Sequence, residues 1–296
     1  MTAFAEAARA RGDDIIANAP LAPLTSLGIG GPAALLWRPN SPQSLVAGLA
    51  QAQAKNLPIT AIGRGCNMLI ADEGVDHIVL QLGPAFASIE FSGARCTAGA
   101  ACNLATLSRE AADRGLGGLV FCSGIPGTLG GALTMNAGAY GGQMADIVTS
   151  VTVATPEGLR EVPAADMDFG YRHSNLAKLG IAVSAQLQLP PADRDTLYEQ
   201  MKEQAAARRQ KQPLEHRSAG SWFMRPPGQF AGTLIEGAGC KGLRVGGAFV
   251  SEKHAGFLCC DSGTTCADML ALETLVRQKV QEKYDVTLQR EVKLLS

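Results

Sequence analysis

Residues 122–142, CSGIPGTLGGALTMNAGAYGG, limit what this chain can fold into more than any other stretch. Gly118, Gly124, Gly127, Gly130, Gly131, Gly138, Gly141 and Gly142 crowd one segment, and the polar side chains among them are small. Glycine reaches φ > 0 and lets backbone approach a ligand closely, but it loses more conformational entropy on folding than any other residue. A chain that concentrates this cost predicts a backbone surface wrapped around a large, flat or phosphorylated ligand. The alternative is a loop-rich connector or tight sheet packing.

A second glycine loop lies upstream, in LPITAIGRGCNMLI at 57–70. Residues 58–62 read as a short apolar strand, broken by Gly63, Gly65 and Asn67. The dinucleotide fingerprint needs a helix after such a loop, so that pyrophosphate sits on the helix N-terminus. Here MLIADEGVDHIVLQL follows and reads as strand, turn and strand. The pattern therefore argues against a Rossmann site. It predicts a loop whose successive N–H groups cradle phosphate without a helix.

The chain has 296 residues, a net charge of −1 and 46% hydrophobic residues, enough for two or three domains with cores. There is no basic excess to suggest nucleic acid. The apolar runs are too short to span a bilayer, so no membrane partner is expected. The start, MTAFAEAARARGDD, lacks a basic region followed by an apolar one, which predicts a cytoplasmic protein. A monomer or weak oligomer is expected. The eight cysteines show no C-x2-C pair and no His-Cys cluster, so no metal is expected. Cys259, Cys260 and Cys266 form the only local group, and buried packing explains small apolar thiols better than redox chemistry.

Helical spacing runs over residues 4–17, and residues 41–56 read as a helix capped by Ser41. Short strands follow to residue 97, then a helix over 104–115 and a hairpin over 147–162 turning at Pro156, Glu157 and Gly158. Residues 181–189 are another strand. Pro190 and Pro191 mark a boundary, after which 192–212 is a charged, solvated helix. Helices are predicted at 230–237 and 266–284, with strands at 248–250, 257–260 and 291–294. The mixture predicts an α+β fold, divided at 1–90, 91–191 and 192–296.

Seven pieces, nearly end to end, carry a resemblance to a known family. They are PLAPLTSLGIGGPA at 20–33, AIGRGCNMLI at 61–70, GIPGTLGGALTMNAGAYGG at 124–142, FGYRHSN at 169–175, KQPLEHRSAGSWFMRPPG at 211–228, LIEGAGCKGLRVGGAFVSEKHAGF at 234–257 and LQREVKLL at 288–295. Together they resemble the UDP-N-acetylenolpyruvoylglucosamine reductase family of bacterial cell-wall precursor synthesis. The resemblance implies a non-Rossmann FAD-binding fold of the vanillyl-alcohol-oxidase type in two subdomains, over 1–90 and 91–191. A C-terminal α+β substrate domain would follow over 192–296. It implies non-covalent FAD, NADPH as co-substrate and a UDP-sugar substrate.

The implied reaction passes hydride from the flavin to the vinyl carbon of an enolpyruvyl ether, followed by a proton. Arg172, in the family's Tyr-Arg-x-Ser pattern, would hold the substrate carboxylate and the developing charge, since a guanidinium stays charged and grips in two places. Ser221 would give the proton, and Glu291 would orient water or substrate. FAD contacts would come from Gly63, Gly65, Cys66, Asn67, Gly99, Ala100, Gly124, Ile125, Pro126, Gly130, Gly131, Asn136, Gly138, Ala139 and Tyr140. Tyr140 reads equally well as core. Tyr171, Lys211, Arg225 and His254 would meet the UDP-sugar.

The chain departs from the family at Cys66, where relatives carry Ser, at Cys260, near which they carry Asn, and at Arg225, where some carry Asn. It also lacks an inserted tyrosine-bearing loop, which implies the shorter branch. Two other readings stand beside this one. One is a flavin oxidase of a small alcohol or sugar on the same fold, and the other a nucleotide- or UDP-sugar-binding protein without catalysis.

Overall fold

The computed structural model describes residues 1–296. The chain gathers into two compact units, each assembled from three segments. The first holds Met1–Ala17, Ala34–Arg64 and His77–Ala206, and the second holds Asn18–Ala33, Gly65–Asp76 and Ala207–Ser296. The predicted division into three successive stretches followed chain order. The observed grouping follows packing, which lends residues 18–33 and 65–76 to the C-terminal unit.

The first unit contains two sheets. One orders Asp14–Pro20, Pro32–Arg38, Val75–Gln81 and Ile59–Ile62, the last two parallel. The helices Thr2–Ala10 and Pro42–Ala54 accompany it, and Phe4, Trp37, Leu45, Ile78 and Leu80 are buried together. Ser41 caps the second helix as expected, its Oγ accepting the Ser44 N–H at 3.2 Å. The helix predicted over 4–17 stops early. Gly12, at φ 86°, ends it, and residues from Asp14 onward form a strand. Asp13 turns inward instead, accepting the Trp37 Nε1–H at 2.9 Å and the Ser44 hydroxyl.

The other sheet is antiparallel, in the order Gly158–Pro163, Val148–Thr155, Ile181–Gln188, Arg95–Gly99 and Ile89–Ser92. Its predicted hairpin turns at Pro156 and Glu157, with Thr155 opposite Gly158. Against it pack the helix Leu104–Asp113 and much of the glycine segment, burying Leu107, Leu129, Leu133 and Met144. That segment is not all loop. Thr128 caps a short helix, Leu129–Thr134, and Gly138–Ala139 pairs with Gly142–Gln143. Gly130 and Gly131 hide this helix from sequence reading because glycine costs about 1 kcal/mol relative to alanine in a helix.

The second unit is built on an antiparallel sheet of Arg217–Ser221, Phe257–Cys260, Ala248–Val250 and Arg244–Val245. The helices Ala231–Gly237 and Cys266–Tyr284 cover Trp222, Val250, Leu258, Leu272 and Val276. The last strand, Lys293–Leu295, runs parallel to Met68–Ile70. The strand expected from Glu291 thus starts two residues later. No helix is long and apolar enough to cross a membrane.

Candidate functional site

The strand Ile59–Ile62 ends at Gly63 and opens a cleft of about 660 Å³ within the first unit. Gln81 holds the loop, its Nε2 donating to the Gly63 carbonyl at 3.1 Å. Gly63, Ala100, Gly130 and Gly131, four of the residues named from sequence for the cofactor, form part of the wall. A Cβ on Gly63 would lie 2.8 Å from the Thr128 hydroxyl, so the wall is closed to side chains there. Thr128, inside the glycine-rich stretch 124–131, also lines the cleft, as do Thr134, Asn103, Ile181 and Arg64, which sequence reasoning missed. Arg64 is the one charged residue of the lining.

Backbone donors near the short helix are committed elsewhere. The Gly130 N–H donates to the Ala100 carbonyl at 2.8 Å, and the Gly131 N–H to the Thr128 hydroxyl at 3.4 Å. These glycines offer surface, consistent with the missing dinucleotide helix. Gly99, also named from sequence for the cofactor, is held by packing. It is buried, and a Cβ there would meet the Phe86 carbonyl at 2.1 Å, so close backbone packing requires the glycine. Gly124 and Pro126 are exposed and Ile125 half-buried, outside the cleft wall.

Two non-glycine residues other than Asn and Asp adopt positive φ in this chain, Tyr140 at 52° and Arg172 at 55°. Such strain persists only where surroundings enforce it, and it gathers at functional sites. Tyr140 and Gly141 form the two-residue turn between Gly138–Ala139 and Gly142–Gln143. Tyr140 is 55% exposed, so it is not core, and its hydroxyl donates to the Gln204 carbonyl at 3.3 Å. Tyr171 and Arg172 form a second such turn, closed by paired Gly170 and His173. Arg172 is half-buried, and its Nη1 donates to the Gly138 carbonyl at 3.3 Å. Asn136 ties the two turns together. It is 3% exposed, its Nδ2 donates to Gln143 Oε1 at 3.0 Å and the Gly170 carbonyl at 3.1 Å, and its Oδ1 accepts the Ala145 N–H. All of this lies inside the first unit.

The remaining predicted residues lie in the second unit. Between Ser218 and Ser221 the sheet register slips, so that Ala219 and Gly220 oppose Leu258 alone. Gly220, at φ 79°, accommodates this bulge, which leaves Ser221 exposed beside the buried Trp222. The Glu291 N–H donates to the Trp222 carbonyl at 2.9 Å. Asn67 Nδ2 donates to the Glu291 carbonyl at 3.4 Å, and the Lys293 N–H donates to the Asn67 carbonyl at 3.0 Å. Ser221, Glu291 and Asn67, far apart in sequence, are thereby gathered. Gly65, at φ 59°, packs so closely that a Cβ would meet the Leu24 carbonyl at 2.2 Å, and Cys66 beside it is half-buried.

Lys211 is exposed at the end of the helix Arg194–Lys211, and exposed Arg225 stacks on Phe230 with its Cζ 4.5 Å from the ring centroid. His254 is half-buried and packs edge-on against Phe257. Burial holds its pKa below the ordinary histidine value. Its Nδ1 accepts the Gly256 N–H at 3.1 Å, which places the neutral ring's proton on Nε2 as a donor. Burial pushes the Cys259 thiol up to about 12 and Cys260 to about 11. Cys260 Sγ donates to the Leu27 carbonyl at 3.4 Å.

Residues 212–295 match the family model described as UDP-N-acetylenolpyruvoylglucosamine reductase, C-terminal domain, and residues 33–162 match the FAD binding domain model. A UDP-N-acetylenolpyruvoylglucosamine reductase of Anaeromyxobacter sp. (strain Fw109-5) is 42% identical over 287 residues, covering 97% of this chain and 90% of that one. The one from Clostridioides difficile (strain 630) is 43% identical over 285 residues, covering 96% and 94%. Among solved structures, the UDP-N-acetylenolpyruvylglucosamine reductase of Thermus caldophilus superimposes with a TM-score of 0.83 at 35% identity, over 96% of this chain and 99% of that chain. A BBE-like 1 protein of Physcomitrella patens, at 15% identity and a TM-score of 0.50, shares the fold over 64% of this chain and 44% of its own. The fold is the non-Rossmann, vanillyl-alcohol-oxidase type that the family resemblance implied, in agreement with the broken glycine pattern.

Proposed function

The chain belongs to the UDP-N-acetylenolpyruvoylglucosamine reductase family, and from that premise we propose that it reduces UDP-N-acetylglucosamine enolpyruvate to UDP-N-acetylmuramate in the bacterial cytoplasm, with FAD and NADPH. The cleft suits the cofactor. Its volume is in the range of small-molecule sites, and its wall combines apolar side chains such as Ile62, Leu80 and Ile181 with the backbone of Gly63, Gly130 and Gly131. Gly63, Ala100, Gly130 and Gly131 would line the bound cofactor there, without a covalent bond. FAD, when bound, supplies the hydride.

The protein must then grip a carboxylate, stabilise charge beside it and deliver one proton. Arg172 does the first two, in a turn whose enforced backbone sets its direction. Ser221 gives the proton. A serine hydroxyl is a weak acid, so it must face a strongly basic carbanion in a fixed geometry. Glu291 orients a water or the substrate from the neighbouring segment. Neutral His254, through Nε2–H, joins Lys211, Arg225 and Tyr171 on the UDP-sugar.

What supports this reading is that three hydrogen bonds to or from backbone join the segments carrying Ser221, Glu291 and Asn67, through Trp222, Glu291, Asn67 and Lys293. Anaerobic stopped-flow absorbance tests it. NADPH should bleach the flavin band, and UDP-N-acetylglucosamine enolpyruvate should restore it. Ser221→Ala should bleach normally and reoxidise at least about 10²-fold more slowly. Wild type that bleaches but ignores the enolpyruvyl compound would refute the reductase. Oxygen uptake with a small alcohol or sugar would put the oxidase in its place.

A further inference from the structure

The second unit holds a buried carboxylate to which the proposed chemistry gives no task. Glu273, in the helix Cys266–Tyr284, is 2% exposed. Its Oε2 accepts the Trp222 Nε1–H at 3.0 Å and pairs with Arg290 Nε at 2.8 Å. Its Oε1 accepts from Arg290 Nε at 3.2 Å and from Arg277 Nη1 at 3.4 Å. A buried charge with this many charge-assisted bonds is rigid, and removing one member leaves the others uncompensated.

Its partners' places in the chain carry the inference. Trp222 directly follows Ser221, and Arg290 directly precedes Glu291. The two segments are themselves paired. Phe223 bridges Arg290, Met224 N–H donates to the Gln289 carbonyl at 2.8 Å, and Glu291 N–H donates to the Trp222 carbonyl at 2.9 Å. One carboxylate therefore grips both segments through side chains, while backbone bonds set their register. Beyond the bulge at Gly220, Ser221 pairs again with Phe257 and the Trp222 N–H donates to the Gly256 carbonyl at 2.9 Å, so the indole adds a side-chain anchor to the residue directly after Ser221.

We propose that Glu273 is a positioning residue for the oxidative half-reaction, clamping Trp222 and Arg290 so that Ser221 and Glu291 keep their mutual geometry. The proposal rests on the reading of Ser221 as proton donor. A weak acid is sensitive to placement, since an error of about 1 Å can cost about 10²-fold in rate. Hydride uptake from NADPH uses neither residue. Loosening the clamp thus separates the two half-reactions.

The test uses the full-length, FAD-loaded enzyme with Glu273→Gln, whose amide keeps the shape but presents N–H to Arg290. NADPH bleaching should stay within about twofold of wild type, while reoxidation by UDP-N-acetylglucosamine enolpyruvate slows at least about tenfold. The solvent deuterium isotope effect on reoxidation should rise, because proton delivery becomes limiting. The indole N–H resonance of Trp222 should shift, and that of Trp37, held by Asp13, should stay in place. If Glu273→Gln does not fold, Trp222→Phe makes the same test, because it keeps the carboxylate paired with both arginines. Equal slowing of both half-reactions, or no slowing of reoxidation, overturns the clamp. Ser221→Ala, run in parallel, judges the underlying reading separately: wild-type reoxidation there refutes the proton donor itself.

Discussion

Arg172 offers a perturbation whose structural and chemical effects run in opposite directions. Its φ of 55° lies in the left-handed region, which costs an L-residue roughly 1–2 kcal/mol and glycine almost nothing. Arg172→Ala keeps that strain, and Arg172→Gly removes it, offset in part by the greater freedom of glycine in the unfolded chain. Both lose the 3.3 Å bond to the Gly138 carbonyl. Arg172→Gly should therefore be more stable than Arg172→Ala by roughly 1 kcal/mol, or about 2 °C in Tm for a chain of this size. Chemistry should treat them alike. Removing a donor aimed at developing charge costs about 2.7–4 kcal/mol, or about 10²–10³ in rate. Stopped-flow absorbance should show bleaching by NADPH within about twofold of wild type and reoxidation slowed by that factor in both variants. Reoxidation within about fivefold of wild type, or parallel loss in both half-reactions, would refute the charge-stabilising role. Arg172→Ala proving the more stable would refute the backbone argument.

Gly63→Val adds a side chain 2.8 Å from the Thr128 hydroxyl. The fold should survive by circular dichroism while FAD affinity falls roughly tenfold or more, and an unchanged dialysis Kd would remove the cleft as the cofactor site. A thiol reagent at about pH 8 should react quickly with half-buried Cys66 alone, and FAD should slow it. The other seven thiols are buried, with Cys96, Cys122 and Cys259 pushed up to about 12. Three or more fast thiols would contradict that packing. His254 is held below its ordinary value of 6.5 by burial, so the fold favours its neutral form. Its contribution to stability is complete well above pH 6.5 and is lost as pH falls from there through the lowered native value. His254→Gln should shrink the drop in Tm between about pH 8 and pH 5, and an equal drop in both proteins would rule His254 out as its source.

Local signals in this chain were reliable where each depends on near neighbours. Ser41 caps its helix, Ala248–Val250 and Phe257–Cys260 are the strands their apolar runs predict, and strand rather than helix follows Asn67. Those features, with the glycine clustering and the seven family segments, determined the fold class, the cofactor type and the identity of the candidate residues.

Packing between distant segments decided the rest. Asp72 receives the N–H groups of Cys266 and Ala267 at 2.7 and 3.1 Å, a second cap invisible beside Thr265 in the sequence. Gly99 serves close packing against Phe86, and Asn136 joins two turns, although both sit in stretches that read as ligand loops. Nothing local singles out Glu273 within the helix predicted at 266–284, and its role appears only when Trp222 and Arg290 are placed on it. The physical reason is the same in each case. Caps, turns and alternation are short-range consequences of backbone geometry, whereas burial and hydrogen-bond partners depend on which remote segment arrives alongside, and only the folded chain determines that.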